Sequence, residues 1–231
     1  MKDLTVVFLT VNKVPAEWAK YHQQILLESI GDFPLITISK KPMDLGINLI
    51  QTEPESSSNI YWQMLKAAKL ATTPYIAIAE DDVLYCREHF MACRPPLDTF
   101  AYNMNRWSLF TWGAPLFSFR YRVGNFSLIA PRELTIEALE ERFAKYPNGT
   151  PLDKTGELGK ERTEKRLGLT RRKKFEFFTV CPIIQFSHDY GTEEIQRSHR
   201  KRMAVMRAHE IPYYDGKIDT LKASELVKKF K

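Results

Sequence analysis

Three consecutive carboxylates, Glu80, Asp81 and Asp82, follow the apolar run Tyr75-Ile76-Ala77-Ile78-Ala79. That run is β-rich and is introduced by Thr72-Thr73-Pro74, so it reads as a short buried strand. Carboxylates crowded where such a strand emerges repel one another and are costly to desolvate unless something neutralises them. A hard divalent cation beside a phosphate is the usual neutraliser, because Mg²⁺ or Mn²⁺ takes a few carboxylate oxygens together with diphosphate oxygens. The plainer alternative is a solvated turn whose acids merely end the strand.

The elements before the triplet are those of an alternating α/β chain. Leu4 to Val11 reads as a strand, and Pro15 opens a helix with Trp18, Tyr21, Ile25 and Leu26 on one face. Phe33 to Ser39 and Ile47 to Gln51 are two further strands. Ser56-Ser57-Ser58-Asn59 caps a second helix carrying Ile60, Met64, Ala67, Ala68 and Ala71 at one-face spacing. Strands alternating with helices imply a mostly parallel sheet with right-handed crossovers. Ligands of such sheets gather at the carboxyl ends of strands, where both Thr10-Val11-Asn12 and the triplet fall. Beyond residue 93 the pattern loosens. Strands are expected over Trp107–Trp112, Phe126–Ile129 and Phe175–Val180, and a helix over Leu134–Tyr146. Residues 147–174 read as a polar, basic loop with one short helix, and the last forty residues as one or two basic helices broken near Pro212.

The 231 residues are 44% hydrophobic and 12% aromatic, which is globular rather than disordered. No apolar run reaches a membrane span, and no signal peptide is expected at the start. Three cysteines, odd in number and without metal-like spacing, favour free thiols in a reducing compartment. The expectation is a cytoplasmic protein, in the host's cytoplasm if the chain is viral, with no obligate protein partner. Two glycosylation sequons, at Asn125 and Asn148, are then accidental. Residues 1–93 hold eight basic and eleven acidic side chains, whereas residues 154–174 hold nine basic and three acidic. Residues 1–93 are therefore expected to hold a metal, and residues 94–231, the other half of the same domain, to meet an anionic partner through their basic stretch.

A strand running into Thr-Val-Asn, two βα units and a buried strand ending in an acidic triplet resemble the GT-A glycosyltransferases, most closely over residues 3–93. The resemblance implies a Rossmann-type, mostly parallel sheet flanked by helices, with a basic C-terminal extension on the acceptor side. It implies a Mn²⁺ or Mg²⁺ ion on the diphosphate of a nucleotide sugar, a UDP-sugar with glucose favoured. Glu80-Asp81-Asp82 stands where that family has its Asp-x-Asp motif. Asp82 is then the direct metal ligand, Glu80 faces the sugar or ribose, and Asp81 belongs to the same donor site. Many members add a late histidine to the metal shell, and His188 occupies about that place. Its alternative is a capping or core histidine satisfied by Asp189. Thr10, Val11 and Asn12 are expected at the base and ribose, with Gln63 and Lys66, one helical turn apart, also within reach of the nucleotide.

In inverting members a carboxylate takes the acceptor's proton. Asp153 and Glu157 are the best-placed acids, with Glu133 a weaker choice, although the family's Glu-Asp pair is missing here and helix capping is an alternative role. Arg171, Arg172, Lys173 and Lys174, followed by Phe175, Phe177 and Phe178, could neutralise phosphates. A basic acceptor half without a membrane anchor is similar to small viral enzymes that glycosylate hydroxymethylated pyrimidines in DNA, which implies an extruded base. Two rivals stand beside that reading. One is a cytosolic glycan-building transferase with a lipid-linked or soluble acceptor. The other is a nucleic-acid-binding protein on a degenerate transferase fold.

Overall fold

The computed structural model of the chain describes residues 2–151, 154–188 and 204–231. Its first part is β1 (Leu4–Leu9), α1 (Ala16–Ile30), β2 (Leu35–Ser39), β3 (Ile47–Ile50), α2 (Asn59–Leu70) and β4 (Tyr75–Glu80). β5 (Val83–Leu84) and α3 (Arg87–Met91) follow at once, then β6 (Thr99–Asn103), β7 (Arg106–Phe110), β8 (Phe117–Phe119) and β9 (Leu128–Pro131). α4 (Arg132–Lys145), α5 (Glu161–Leu167), β10 (Lys173–Phe177) and β11 (Ile183–Ser187) complete the middle. The last part is β12 (Arg207–Ala208), β13 (Glu210–Tyr214), β14 (Ile218–Lys222) and a helix, α6, over Ala223–Phe230.

A seven-stranded sheet runs in the order β10-β6-β9-β4-β1-β2-β3 and draws strands from both sides of residue 93. β4, β1, β2 and β3 are mutually parallel, as are β10 and β6, while β9 runs against both of its neighbours. The expected α/β class with a mostly parallel sheet is therefore what the chain adopts. β1 is buried along its whole length, as a strand covered on both faces must be. Val7 and Leu9 join Ile76, Ile78, Met64, Ala67, Leu139 and Phe143 under α2 and α4. Leu4, Val6 and Phe8 point the other way, against Leu26, Ile30 and Phe90 of α1 and α3. The β2–β3 connection depends on Gly46 at φ +64°, where a Cβ would sit 2.3 Å from the Leu35 carbonyl oxygen.

A second sheet, β12-β8-β7-β11-β5, stands beside the first. Trp18, Leu84, Phe117, Ile184, Phe186, Tyr214, Leu226 and Phe230 fill the space between it, α1 and α6. β11 takes in Ile183-Ile184-Gln185 and ends directly before His188. One expectation fails here. The C-terminal region is not wholly helical: β13 and β14 form an antiparallel hairpin across Asp215-Gly216, and among the described residues there only Ala223–Phe230 is a helix. Both residues of that turn have positive φ, the geometry an Asp-Gly hairpin supplies.

Candidate functional site

The parallel register brings Leu9 level with Glu80 and Ile38, so the loops after β1, β2 and β4 leave one edge of the sheet together. Thr10 donates its hydroxyl to Asp81 Oδ2 and accepts the Asn12 backbone N–H at 2.8 Å. Burial, then the neighbouring Asp82 carboxylate, pushes Asp81 up to about 7. The segment after β4 is fastened by one face of α1. Trp18 Nε1 donates to the Asp81 carbonyl at 2.7 Å, His22 Nε2 to the Val83 carbonyl at 2.8 Å, and Ser29 Oγ to the Tyr85 carbonyl at 3.0 Å. A carbonyl only accepts, so His22 carries its proton on Nε2, and burial holds its pKa down at about 4. Tyr85 reaches back under the strand end: its hydroxyl accepts the Glu80 N–H and donates to the Phe126 carbonyl, both at 3.0 Å.

β5 and β11 pair antiparallel, and the Phe186 N–H donates to the Asp82 carbonyl at 2.7 Å. This pairing places His188 Nε2 3.6 Å from Asp82 Oδ2. The His188 ring also lies 5.0 Å from the ring of Phe230, which α6 delivers. The other carboxylate oxygen of Asp82, Oδ1, is buried with no hydrogen-bond partner among the described residues. A buried carboxylate oxygen left unpaired costs free energy, and a cation is what would offset it. One hard oxygen and one imidazole nitrogen fit a borderline divalent ion such as Mn²⁺, with room in its shell for phosphate oxygens.

No protein-family model matches the chain, and no curated protein matches it. Among solved structures it is similar to the bifunctional IspDF from Campylobacter jejuni, with 8% identity and a TM-score of 0.44 over 77% of this chain and 50% of that one. It is similar to a glycosyltransferase involved in the glycosylation of the major capsid of PBCV-1, with 12% identity and a TM-score of 0.46 over 79% of this chain and 91% of that one. A third is the mannosyltransferase PcManGT from Pyrobaculum calidifontis, solved with GDP-Man and Mn²⁺, at 14% identity and a TM-score of 0.42 over 80% of this chain and 56% of that one. The chain thus spans half the length of the Campylobacter protein.

The remaining expected residues fall into three groups. Thr10 is part of the acid cluster, but Asn12 has its amide engaged within the protein. At φ +56° it accepts the Lys40 and Lys41 N–H groups, each at 2.9 Å, and ties β1 to the β2–β3 loop. Val11, half-buried, stands between the two. Gln63 belongs to a relay that sequence reasoning missed. Gln51 donates to the Thr10 carbonyl at 3.2 Å, Asn59 to Gln51 Oε1 at 2.8 Å, and Gln63 to Asn59 Oδ1 at 2.6 Å. Gln63 Oε1 itself is buried and unpartnered among the described residues. Lys66 pairs with Glu53 and pulls that carboxyl down to about 2. The amide-rich spacing of Gln51, Asn59 and Gln63 was the available signal for this relay.

Glu157 is 9% exposed, with Lys160 Nζ 3.1 Å from its carboxylate. Arg142 Nη2 donates to the Gly156 carbonyl at 3.1 Å and Tyr102 to that of Leu158 at 2.7 Å, which fixes the loop carrying it. Asp153 lies outside the described residues. Arg106, also missed from the sequence, links Glu157 to the triplet: its buried guanidinium is within electrostatic range of both Glu157 and Glu80. It lies 4.4 Å over the Phe126 ring and donates to Gln185 Oε1 at 2.7 Å. Burial and nearby Arg122 pull it down to about 10. Glu133 stands at the start of β4, the opposite end from the acids, beside a cavity of about 380 Å³ that touches none of the residues above.

Each of the four basic residues has an acidic partner within the chain. Arg171 meets Glu161 at 2.7 Å, Lys173 meets Asp98 at 2.6 Å, and Lys174 pairs with Glu176. The Arg172 side chain is 6% exposed and is held by Glu141 at 2.7 Å and Glu137 at 3.0 Å. Among the described residues no helix is long and apolar enough to cross a membrane.

Proposed function

We propose that the chain transfers a sugar from a nucleotide diphosphate sugar to a hydroxyl, using a divalent metal held by Asp82 and His188. The carrying observation is the buried, unpartnered Asp82 Oδ1 with His188 Nε2 3.6 Å from its other oxygen. When bound, a Mn²⁺ or Mg²⁺ ion supplies Lewis-acid stabilisation of the two charges left on the departing diphosphate. Thr10 holds Asp81 in place behind the metal ligand. Glu80, at the strand end and anchored through Tyr85, faces the sugar. Glu157 takes the proton of the attacking hydroxyl, and the buried Arg106 guanidinium lies within electrostatic range of both Glu157 and Glu80. Gln63, through its free Oε1, and Lys66 border the nucleotide, a uridine diphosphate sugar in this reading.

The neutralised basic run gives no support to a DNA acceptor, so the acceptor is taken to be a hydroxyl of unspecified origin, hydroxymethylated DNA being one arm of the assay. Turnover is measured for a panel of sugar nucleotides with Mn²⁺ and with chelator, and the products are weighed by mass spectrometry. Metal-dependent release of nucleoside diphosphate that disappears in Asp82→Asn is the expected result. Absence of metal-dependent turnover of any sugar nucleotide would sink the proposal. Pyrophosphate release from a nucleoside triphosphate instead would move the chain to nucleotidyl transfer.

A further inference from the structure

The β5–β11 ladder carries a second ligand-like cluster at the end opposite to Asp82 and His188. Cys86 leaves β5 two residues after Leu84, and Cys181 enters β11 two residues before Ile183. The turn of the β13–β14 hairpin adds Asp215, and the two Sγ atoms and a carboxylate oxygen all lie within 4.8 Å of one another. Residues as far apart in the chain as Cys86 and Asp215 are thus brought to one point by three separate elements.

Each ligand is held by its own backbone framework. Glu88 accepts the N–H groups of Val180 and Cys181 at 3.0 and 2.9 Å, which fixes the approach of Cys181. The Asp215 N–H donates to Cys181 Sγ at 3.3 Å, while Asp215 Oδ1 accepts the Arg87 N–H at 3.0 Å. The Cys86 thiol is fully buried and donates to the Cys181 carbonyl at 3.2 Å. Outer contacts of this kind orient ligands around a metal.

We infer that Cys86, Cys181 and Asp215 form a binding site for a thiophilic divalent cation of the Zn²⁺ class, separate from the proposed metal–diphosphate site. Two sulfurs select Zn²⁺ over the hard ions that suit Asp82. Tetrahedral Zn²⁺ with sulfur at about 2.3 Å requires ligand atoms about 3.8 Å apart, so the cluster needs to contract by about 1 Å at most. Three protein ligands leave a fourth position for water. The ion would tie the hairpin to both strands of the ladder and so steady the strands that carry Asp82 and His188.

The test uses the full chain, reduced and metal-free, titrated with Co²⁺ and then with Zn²⁺. Thiolate ligation gives a near-ultraviolet sulfur-to-cobalt charge-transfer band, which Zn²⁺ should bleach. The band should persist in Cys93→Ser and in Asp82→Asn and vanish in Cys86→Ser and in Cys181→Ser. Asp215→Asn should weaken Co²⁺ binding by at least the roughly tenfold that even an outer contact is worth. Zn²⁺ should also raise the thermal midpoint of the wild type and of Asp82→Asn alike. Cys181 is only half-buried, so its serine variant keeps the test open if Cys86→Ser fails to fold. A wild type without the band, or a band that survives in Cys181→Ser or disappears in Asp82→Asn, overturns the inference.

Discussion

Tyr85→Phe removes a single oxygen atom and should destabilise the protein out of proportion to its size. The Tyr85 hydroxyl is the shared partner of the Glu80 N–H and the Phe126 carbonyl, at 3.0 Å each, and the residue is 1% exposed. Phenylalanine fills the ring space but leaves a buried donor and a buried acceptor without partners. Each such group costs roughly 1–3 kcal/mol, and partial relaxation brings the expected total to about 2–4 kcal/mol. The lost anchor is the backbone of Glu80, so Mn²⁺ affinity should fall as well, while the Cys86 cluster keeps its Co²⁺ band. Urea unfolding in chelator, followed by both fluorescence and circular dichroism, measures the loss. Tyr75→Phe is the control: its hydroxyl makes one bond, to the Pro95 carbonyl, at a half-buried position, and it should cost about 1 kcal/mol or less. A loss below about 0.5 kcal/mol for Tyr85→Phe would refute the reasoning that this hydroxyl fastens the acidic strand end.

Three further outcomes are expected. In chelator, Asp82→Asn should stabilise the protein by about 1 kcal/mol, because it removes a negative charge next to Asp81 whose Oδ1 is buried without a hydrogen-bond partner among the described residues, yet it should abolish the rise in thermal midpoint given by Mn²⁺. His89 is buried and held down at about 3, so the unfolded chain takes up its proton first as pH falls. Its contribution is full above about pH 6.5 and is lost toward pH 3; from pH 7 to pH 4.5 the stability of wild type relative to His89→Gln should fall by about 2–3 kcal/mol. Arg172→Ala removes a nearly buried side chain that two partly solvated acids hold and should cost about 1–2 kcal/mol, whereas exposed Lys173→Ala should cost less than about 1 kcal/mol, both read from denaturant midpoints.

The first six elements were legible because their burial is simple. β1, β2 and β4, covered on both faces, must be almost continuously apolar, and α1 and α2 each bury one stripe, so most of Leu4–Glu80 could be read from composition and period. The acidic strand end was legible for the same reason: charge directly after a buried strand is conspicuous. The hairpin over Glu210–Lys222 was not. Its strands are short and half-exposed, with Glu210, Asp219 and Lys222 among them, and Pro212 reads as a helix break. Nor could spacing along the chain reveal the partners of the basic run. Glu137, Glu141 and Asp98 lie 31 to 75 positions away from the cations they neutralise. Arg106 stayed hidden because one arginine at the start of an aromatic strand looks like a surface residue until Phe126, Gln185 and Glu157 close around it.

The central claim is that Asp82 and His188 share one metal ion that carries a nucleotide diphosphate. Crystals grown with Mn²⁺ and uridine diphosphate, measured at the manganese absorption edge, test it directly. The account predicts one anomalous peak within bonding distance of Asp82 and of His188 Nε2, with the diphosphate oxygens on its open side. A peak bound elsewhere, or nucleotide bound with no metal between the two residues, would contradict it.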